Sequence, residues 1–160
     1  SELPEASRRL ASSIADFAME TRVFPEGTKN AEDAARAIGC PVSAIVKSLV
    51  FVLIGPDASE EPVVALVPGD LRLDTVKLAD AAGVTGSRRA TLDEVRTATG
   101  YAAGGTPPFG HATPLRVFAD NRLRRNDPVW AAAGTPTTVF PISITDLDRL
   151  AKPDWGDLSE

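Results

Sequence analysis

The residues best suited to chemistry fall in three places. The first is the stretch Gly100-Tyr-Ala-Ala-Gly-Gly-Thr-Pro-Pro-Phe-Gly-His111. Gly104 and Gly105 reach backbone angles closed to other residues and let a ligand approach the main chain, and Pro107 and Pro108 stiffen the remainder of the stretch. Thr106, placed before a proline, is pushed to an extended conformation, which aims its amide and carbonyl in fixed directions. Together with Phe109, Gly110 and His111 this is either a plain structural loop or a preorganised backbone surface. The second reading suits a nucleotide or an acyl group, since main-chain donors can meet a developing negative charge without a charged side chain.

The second place is Lys47, the one cation in Ile45-Val-Lys-Ser-Leu-Val-Phe-Val-Leu-Ile54. A lysine at the start of a buried strand either snorkels to solvent or sits in a polar cleft. In a cleft its ammonium serves a phosphate or an oxyanion as a point charge. The third is the pair Cys40 and His111, each the only residue of its type. A Cys-His nucleophilic pair is one reading. The plainer one is a small half-buried cysteine after Gly39 at a helix end, and a histidine that closes the Gly/Pro loop. No Walker A, G-x-G-x-x-G or G-x-S-x-G motif occurs.

The elements that must position these groups are set by periodicity and punctuation. Leu10, Ile14, Phe17 and Ala18 recur at helical spacing, as do Ala31, Ala34, Ala35 and Ile38 between a capping Asn30 and a terminating Gly39. Lys47 to Ile54 and Pro62 to Val67 are β-rich and almost wholly apolar, which predicts neighbouring central strands covered on both faces. Leu73, Val76 and Ala79 predict a helix ending at Gly83, and Thr91 with Glu94 forms a capping box that opens another, closed by Gly100. After the aperiodic residues 101–114, Leu115 to Ala119, Val129 to Ala133 and Thr137 to Phe140 predict three strands, and a last helix runs from about Ser143 to Leu150. Three strands without helices between them favour a mixed sheet. The expected class is α/β (α+β): a mixed β-sheet with flanking helices in one domain over 1–160, with a polar tail at 152–160.

Bulk properties narrow the function classes. The 160 residues, 43% of them hydrophobic, suffice for one core. A single cysteine and the lack of any C-x-x-C spacing point to a reducing, cytoplasmic setting with no disulfide and no metal. No leader-like segment is seen, and the longest apolar run, Leu49 to Ile54, is too short for a bilayer, so no membrane partner is expected. The net charge of −5 argues against a protein that coats nucleic acid. Contact with only an RNA end needs just a local basic cluster, for which Arg88-Arg89 and Arg122, Arg124 and Arg125 are candidates. Taken singly, the plainer reading of each is solvated surface charge.

Three segments in register carry a resemblance: Ile45-Val-Lys-Ser-Leu-Val-Phe51, Gly104-Gly-Thr-Pro-Pro-Phe-Gly110, and Val129-Trp-Ala-Ala-Ala-Gly-Thr-Pro136. Between them lie Leu71-Arg-Leu-Asp74, Lys77-Leu78 and Val117-Phe-Ala-Asp120. The chain resembles the YbaK/EbsC family of free-standing editing proteins, related to the insertion domain of bacterial prolyl-tRNA synthetase. The resemblance implies a mixed sheet with flanking helices. It also implies a hydrolase, without cofactor, that cleaves the ester of a mischarged small amino acid at the 3′ end of a tRNA, most often the tRNA for proline. It places the family's essential lysine on Lys47, its G-x-x-x-P loop on Gly104 and Pro108, and a glycine common near the pocket on Gly134. The implied partner is the aminoacyl-tRNA 3′ end, with an aminoacyl-tRNA synthetase as a second candidate. The competing class is a non-catalytic tRNA- or synthetase-binding module of the same fold. The amino acid removed and the oligomeric state stay open.

Overall fold

Nine-residue strands set the frame of the computed structural model, which describes residues 3–27 and 30–160. Strand β1 is Arg22–Val23, β2 is Val46–Ile54 and β3 is Glu60–Pro68. They are followed by β4 (Gly86–Arg89), β5 (Arg116–Asp120), β6 (Val129–Ala132), β7 (Thr138–Ile142) and β8 (Asp154–Gly156). Helices are α1 (Glu5–Ser13), α2 (Ala31–Ile38), α3 (Thr75–Ala82), α4 (Leu92–Thr99) and α5 (Ile144–Ala151). The expected mixed sheet with flanking helices is present, and a second, smaller sheet accompanies it. The strands form two sheets, one of five strands in the order β4-β2-β3-β5-β8 and one of three in the order β1-β7-β6. The larger is mixed, with β2 antiparallel to β3 and β4, and β5 parallel to β3 and β8. The three late strands divide between them: β5 joins the larger sheet, and β6 and β7 pair in the smaller.

Burial explains the division. The inner face of the larger sheet, including Val46, Val50, Val64 and Leu66, packs against Ala131, Phe140 and Ile142 of the smaller, closed by Leu147 of α5. Its other face, with Phe51, Leu53, Val63, Ala65 and Phe118, is covered by Leu78 of α3 and by Leu73 and Leu158. Strands β2 and β3 are therefore covered on both sides, as their unbroken apolar runs require. Each fully buried side chain of this kind contributes about 1.5–3 kcal/mol of transfer free energy. Helix α2 makes a third, small cluster by laying Ala31, Ala34 and Ala35 against Ile45 and Trp130.

The caps that the sequence announces are made. Asn30 accepts from the Asp33 amide and Gly39 ends α2 in the left-handed region, while Thr91 and Glu94 form a reciprocal capping box. Two expectations fail. Helix α1 stops at Ser13, and Phe17 beyond it packs edge-on against Phe109 and Phe140 from a non-helical segment. Residues 152–160 are not a loose tail, because β8 pairs with β5 and both Leu158 and Ser159 are fully buried. No helix among the described residues is long and apolar enough to cross a membrane.

Candidate active site

A cleft of about 380 Å³ opens where the two sheets part. The start of β2 supplies Lys47 and Ser48, the Gly/Pro loop supplies Gly104 and Thr106, and α2 supplies Ala31, Glu32 and Ala34. Trp130, Ala131 and Ala132 of β6 complete the wall, and Arg89 of β4 stands at the cleft as well. The two sheets meet at one parallel bridge between Ile45 and Trp130, which fixes the approach of β6 to β2. Gly69 lets the segment after β3 pass beneath: a Cβ there would lie 2.6 Å from the Val42 carbonyl oxygen and 2.8 Å from the Ala31 Cβ.

Lys47 is half-buried and its Nζ donates to the Leu71 carbonyl oxygen. Burial pushes its pKa below the ordinary lysine value; Glu32 and Asp70 act against this, and Arg72 and Arg89 act with it. Arg125 holds both Asp70 oxygens at 2.7 and 3.0 Å, and Asp70 acts on Lys47 through its charge rather than through an ion-pair contact. The Lys47 ammonium therefore has one main-chain acceptor and N–H capacity left over.

The loop is held rigidly from behind. The Gly105 amide and the Thr106 hydroxyl both donate to the Ala102 carbonyl oxygen, at 3.0 and 3.1 Å. A Cβ on Gly105 would meet the Thr135 backbone at 2.7 Å, so only glycine allows this approach. Phe109 is buried against Phe140, with ring centroids 5.8 Å apart, and Gly110 is pressed onto Leu10 of α1. The Ala112 amide closes the loop back onto the Thr99 carbonyl oxygen.

The residues singled out in the sequence thus separate into two groups. Lys47, Gly104 and Thr106 line one cleft. Gly105, Pro107, Pro108, Phe109 and Gly110 do not line it; Phe109 and Gly110 anchor the loop in the core and on α1. His111 lies beside a separate shallow depression with Thr113, Leu115 and Leu150, and its Nε2–H donates to the Pro107 carbonyl oxygen at 2.8 Å. Burial lowers the His111 pKa, with the Pro107 bond opposing. Gly134, at φ +103°, faces Ala6 of α1 and Tyr101 rather than the cleft.

Cys40 packs beside Ile38 and Val42 on the α2 cluster, and burial pushes its thiol pKa up, the opposite of an activated nucleophile. The structure does not pair it with His111. Among the described residues no three His, Cys, Asp or Glu side chains form a group that could hold a metal ion. The basic clusters also resolve. Arg88 is bound by Glu94 and Glu60, Arg122 by Asp120 and Asp157, and Arg125 by Asp70. Among the described residues no carboxylate lies within ion-pair distance of Arg89 or Arg124, whose guanidinium groups lie over Phe51 and Trp155. Trp130, Ser48 and the α2 residues escape a reading of the sequence, because alanines and a single serine carry no chemical signature until the fold gathers them.

A family model described as an aminoacyl-tRNA editing domain matches residues 25–150. The proline–tRNA ligase of Nitratidesulfovibrio vulgaris strain Hildenborough is 38% identical over 121 residues, covering 74% of this chain and 20% of the ligase. The chain therefore spans about one fifth of the length of that relative. Bacillus subtilis YwhH, an uncharacterised protein, is 29% identical over 128 residues, covering 80% of this chain and 78% of its own. Among solved structures, one described as a proposed trans-editing enzyme for prolyl tRNA synthetase superimposes with a TM-score of 0.89 at 37% identity, covering 99% of both chains. The hypothetical protein APE2540 superimposes with a TM-score of 0.79 at 26% identity, covering 90% of this chain and 93% of its own.

Proposed function

The chain belongs to the aminoacyl-tRNA editing domain family, and from that premise we propose that it is a trans-editing deacylase that hydrolyses the ester of a mischarged small amino acid on tRNA, with the tRNA for proline as its carrier. The observation that carries this is the convergence of Lys47 with Gly104 and Thr106 in one cleft walled by alanines. A prolyl-tRNA synthetase is the proposed functional associate.

In the proposed mechanism the terminal adenosine and its ester enter the cleft beside Trp130, whose ring carries the Arg22 guanidinium. The Lys47 ammonium, already held by Leu71, and the main chain at Gly104 and Thr106 orient the ester. Water adds to the ester carbon, and Lys47 stabilises the oxyanion of the tetrahedral intermediate. The C–O bond to the ribose then breaks. The proton given up by the attacking water passes through the vicinal hydroxyl of the sugar to the departing ribose oxygen, and free amino acid and tRNA leave. No protein nucleophile takes part. Small walls exclude a larger cognate residue sterically but discriminate weakly among small ones.

Offering tRNA(Pro) charged with alanine, serine, cysteine or proline separates an enzyme from a binding module. The enzyme releases one or more of the small non-cognate amino acids and spares proline. A protein that binds the charged tRNAs and releases nothing is the module. Because Cys40 is structural, Cys40→Ala is expected to deacylate at nearly the wild-type rate. A loss of more than about 100-fold in kcat/KM, or about 2.7 kcal/mol of transition-state stabilisation, would restore the thiol mechanism.

The disposition of the arginines predicts a gentle salt response. With Arg88, Arg122 and Arg125 neutralised internally, about two or three phosphates should be engaged, and the slope of log Kobs against log salt for a single-stranded end should then be about −2. Arg89→Ala should raise KM and make that slope shallower by about one. A slope of about −5 or steeper would mean a basic surface that these arginines do not form.

A further inference from the structure

Ser48, like Glu32, is a polar side chain at the cleft that the mechanism leaves unused. Its Oγ is buried and hydrogen-bonds nothing, although the residue lines the cleft next to Lys47. A buried hydroxyl without a partner costs stability, so it calls for an explanation. No hydrogen bond holds it in its present rotamer, so turning χ1 toward the cleft gives up none.

The main chain at the same residue points the same way. Along one side β2 is paired with β3 over its whole length. Along the other, β4 covers only Phe51 to Ile54, and β6, which packs against β2, bridges to it only just before the strand, at Ile45–Trp130. On that side the Val50 and Ile54 carbonyl oxygens accept from Ala90 and Thr85, at 3.1 and 3.0 Å. Groups two residues apart in a strand face the same way. The Ser48 carbonyl is therefore directed at the same side, where the β4 ladder has ended and the cleft is lined by Ser48 itself.

A carbonyl oxygen and a hydroxyl oxygen together form an acceptor pair, which suits a compact multi-donor cation. The one such group on an aminoacyl ester is its α-ammonium. Resting on the deacylase reading of this cleft, we infer that Ser48 binds the α-ammonium of the aminoacyl group through its Oγ and its main-chain carbonyl. The site thereby selects free aminoacyl esters against N-blocked ones. The contact is blind to the side chain, and the alanine walls are left to sort by size. Lys47, on the opposite face of the strand, is left to the ester.

The test uses two non-hydrolysable probes: 3′-deoxy-3′-(alanylamino)adenosine and its N-acetyl derivative. The wild-type protein should bind the free-amine probe about tenfold more tightly, the worth of one hydrogen bond to a charged group. Ser48→Ala should narrow that ratio, with a melting temperature equal to or above that of the wild type, because the unpartnered hydroxyl is gone. Ser48→Thr, which keeps the hydroxyl, should restore part of the ratio. Equal affinity of the wild-type protein for both probes, binding of neither, or an unchanged ratio in Ser48→Ala would each overturn the inference. A parallel deacylation assay separates it from the function it rests on. If the ratio depends on Ser48 but no ester is cleaved, the deacylase reading falls and the ammonium site stands. If ester is cleaved without the ratio, the reverse holds.

Discussion

Lys47→Met is expected to slow deacylation by about 10²- to 10³-fold while leaving the melting temperature almost unchanged, which is the usual cost of removing one oxyanion donor. Methionine keeps most of the aliphatic stem that packs at the start of β2 and removes only the ammonium. The single bond lost inside the protein is the one to the Leu71 carbonyl, at a half-buried position where water can replace it. The effect should fall on kcat more than on KM, because the charge matters most once the ester carbonyl has become an oxyanion. Lys47→Arg should rescue poorly. A planar guanidinium cannot both reach Leu71 and direct a compact charge to the same point. Single-turnover rates and thermal midpoints for both variants check this, and a Lys47→Met protein that hydrolyses at the wild-type rate would make Lys47 a snorkelling side chain.

The second large effect is on stability. Asp120, fully buried at the end of β5, accepts from the Arg122 amide (2.8 Å) and guanidinium, the Leu158 amide (2.9 Å) and the Ser159 hydroxyl (2.8 Å). This carboxylate ties the last residues of the chain into the larger sheet. Asp120→Ala strands buried donors at Leu158 and Ser159, each at a cost of about 1–3 kcal/mol, so a total loss of about 3–5 kcal/mol is expected. For a chain of this length that corresponds to a fall in Tm of about 10 °C. Hydrogen exchange should rise first at β8 and Leu158. Burial alone would raise the Asp120 pKa, but the bonds from Arg122, Leu158 and Ser159 outweigh it and hold the pKa below the usual value. Its contribution to stability is therefore complete above the unfolded-state value of about 4 and is lost as pH falls through the depressed one. Asp120→Ala should flatten that acid limb. A variant that melts with the wild type would mean that the carboxylate does not secure the C-terminal segment.

How much of this is legible in the sequence depends on where the signal lies. Asn30 with Gly39, and Thr91, Glu94 and Gly100, announce α2 and α4 through local capping chemistry, and the apolar runs announce β2 and β3 as doubly covered strands. The short strands are not legible. Gly86–Arg89 and Asp154–Gly156 have neither alternation nor an apolar run, and exist because a neighbouring edge offers hydrogen bonds. Periodicity also misleads. Phe17 and Leu10 share a helical spacing by coincidence, and Val76, which falls on an apolar face by spacing, is 66% exposed. The same limit applies to the site. Glycines and prolines at 104–110 signal a stiff loop, but only the fold distinguishes Gly104 and Thr106 at the cleft from Phe109 and Gly110 that anchor it. The C-terminal residues look polar, and their order comes from partners far off in the chain, the β5 edge that pairs with β8 and Asp120, 38 residues from Leu158, among them.

The most direct test of the central claim is the rate of ester cleavage with protein in excess over alanyl-tRNA(Pro), measured against the spontaneous rate in the same buffer. The deacylase is expected to release alanine in a single exponential far faster than the spontaneous reaction, with prolyl-tRNA(Pro) left intact and the acceleration largely abolished in Lys47→Met. Release of alanine at the spontaneous rate by a protein that binds the charged tRNA would contradict it.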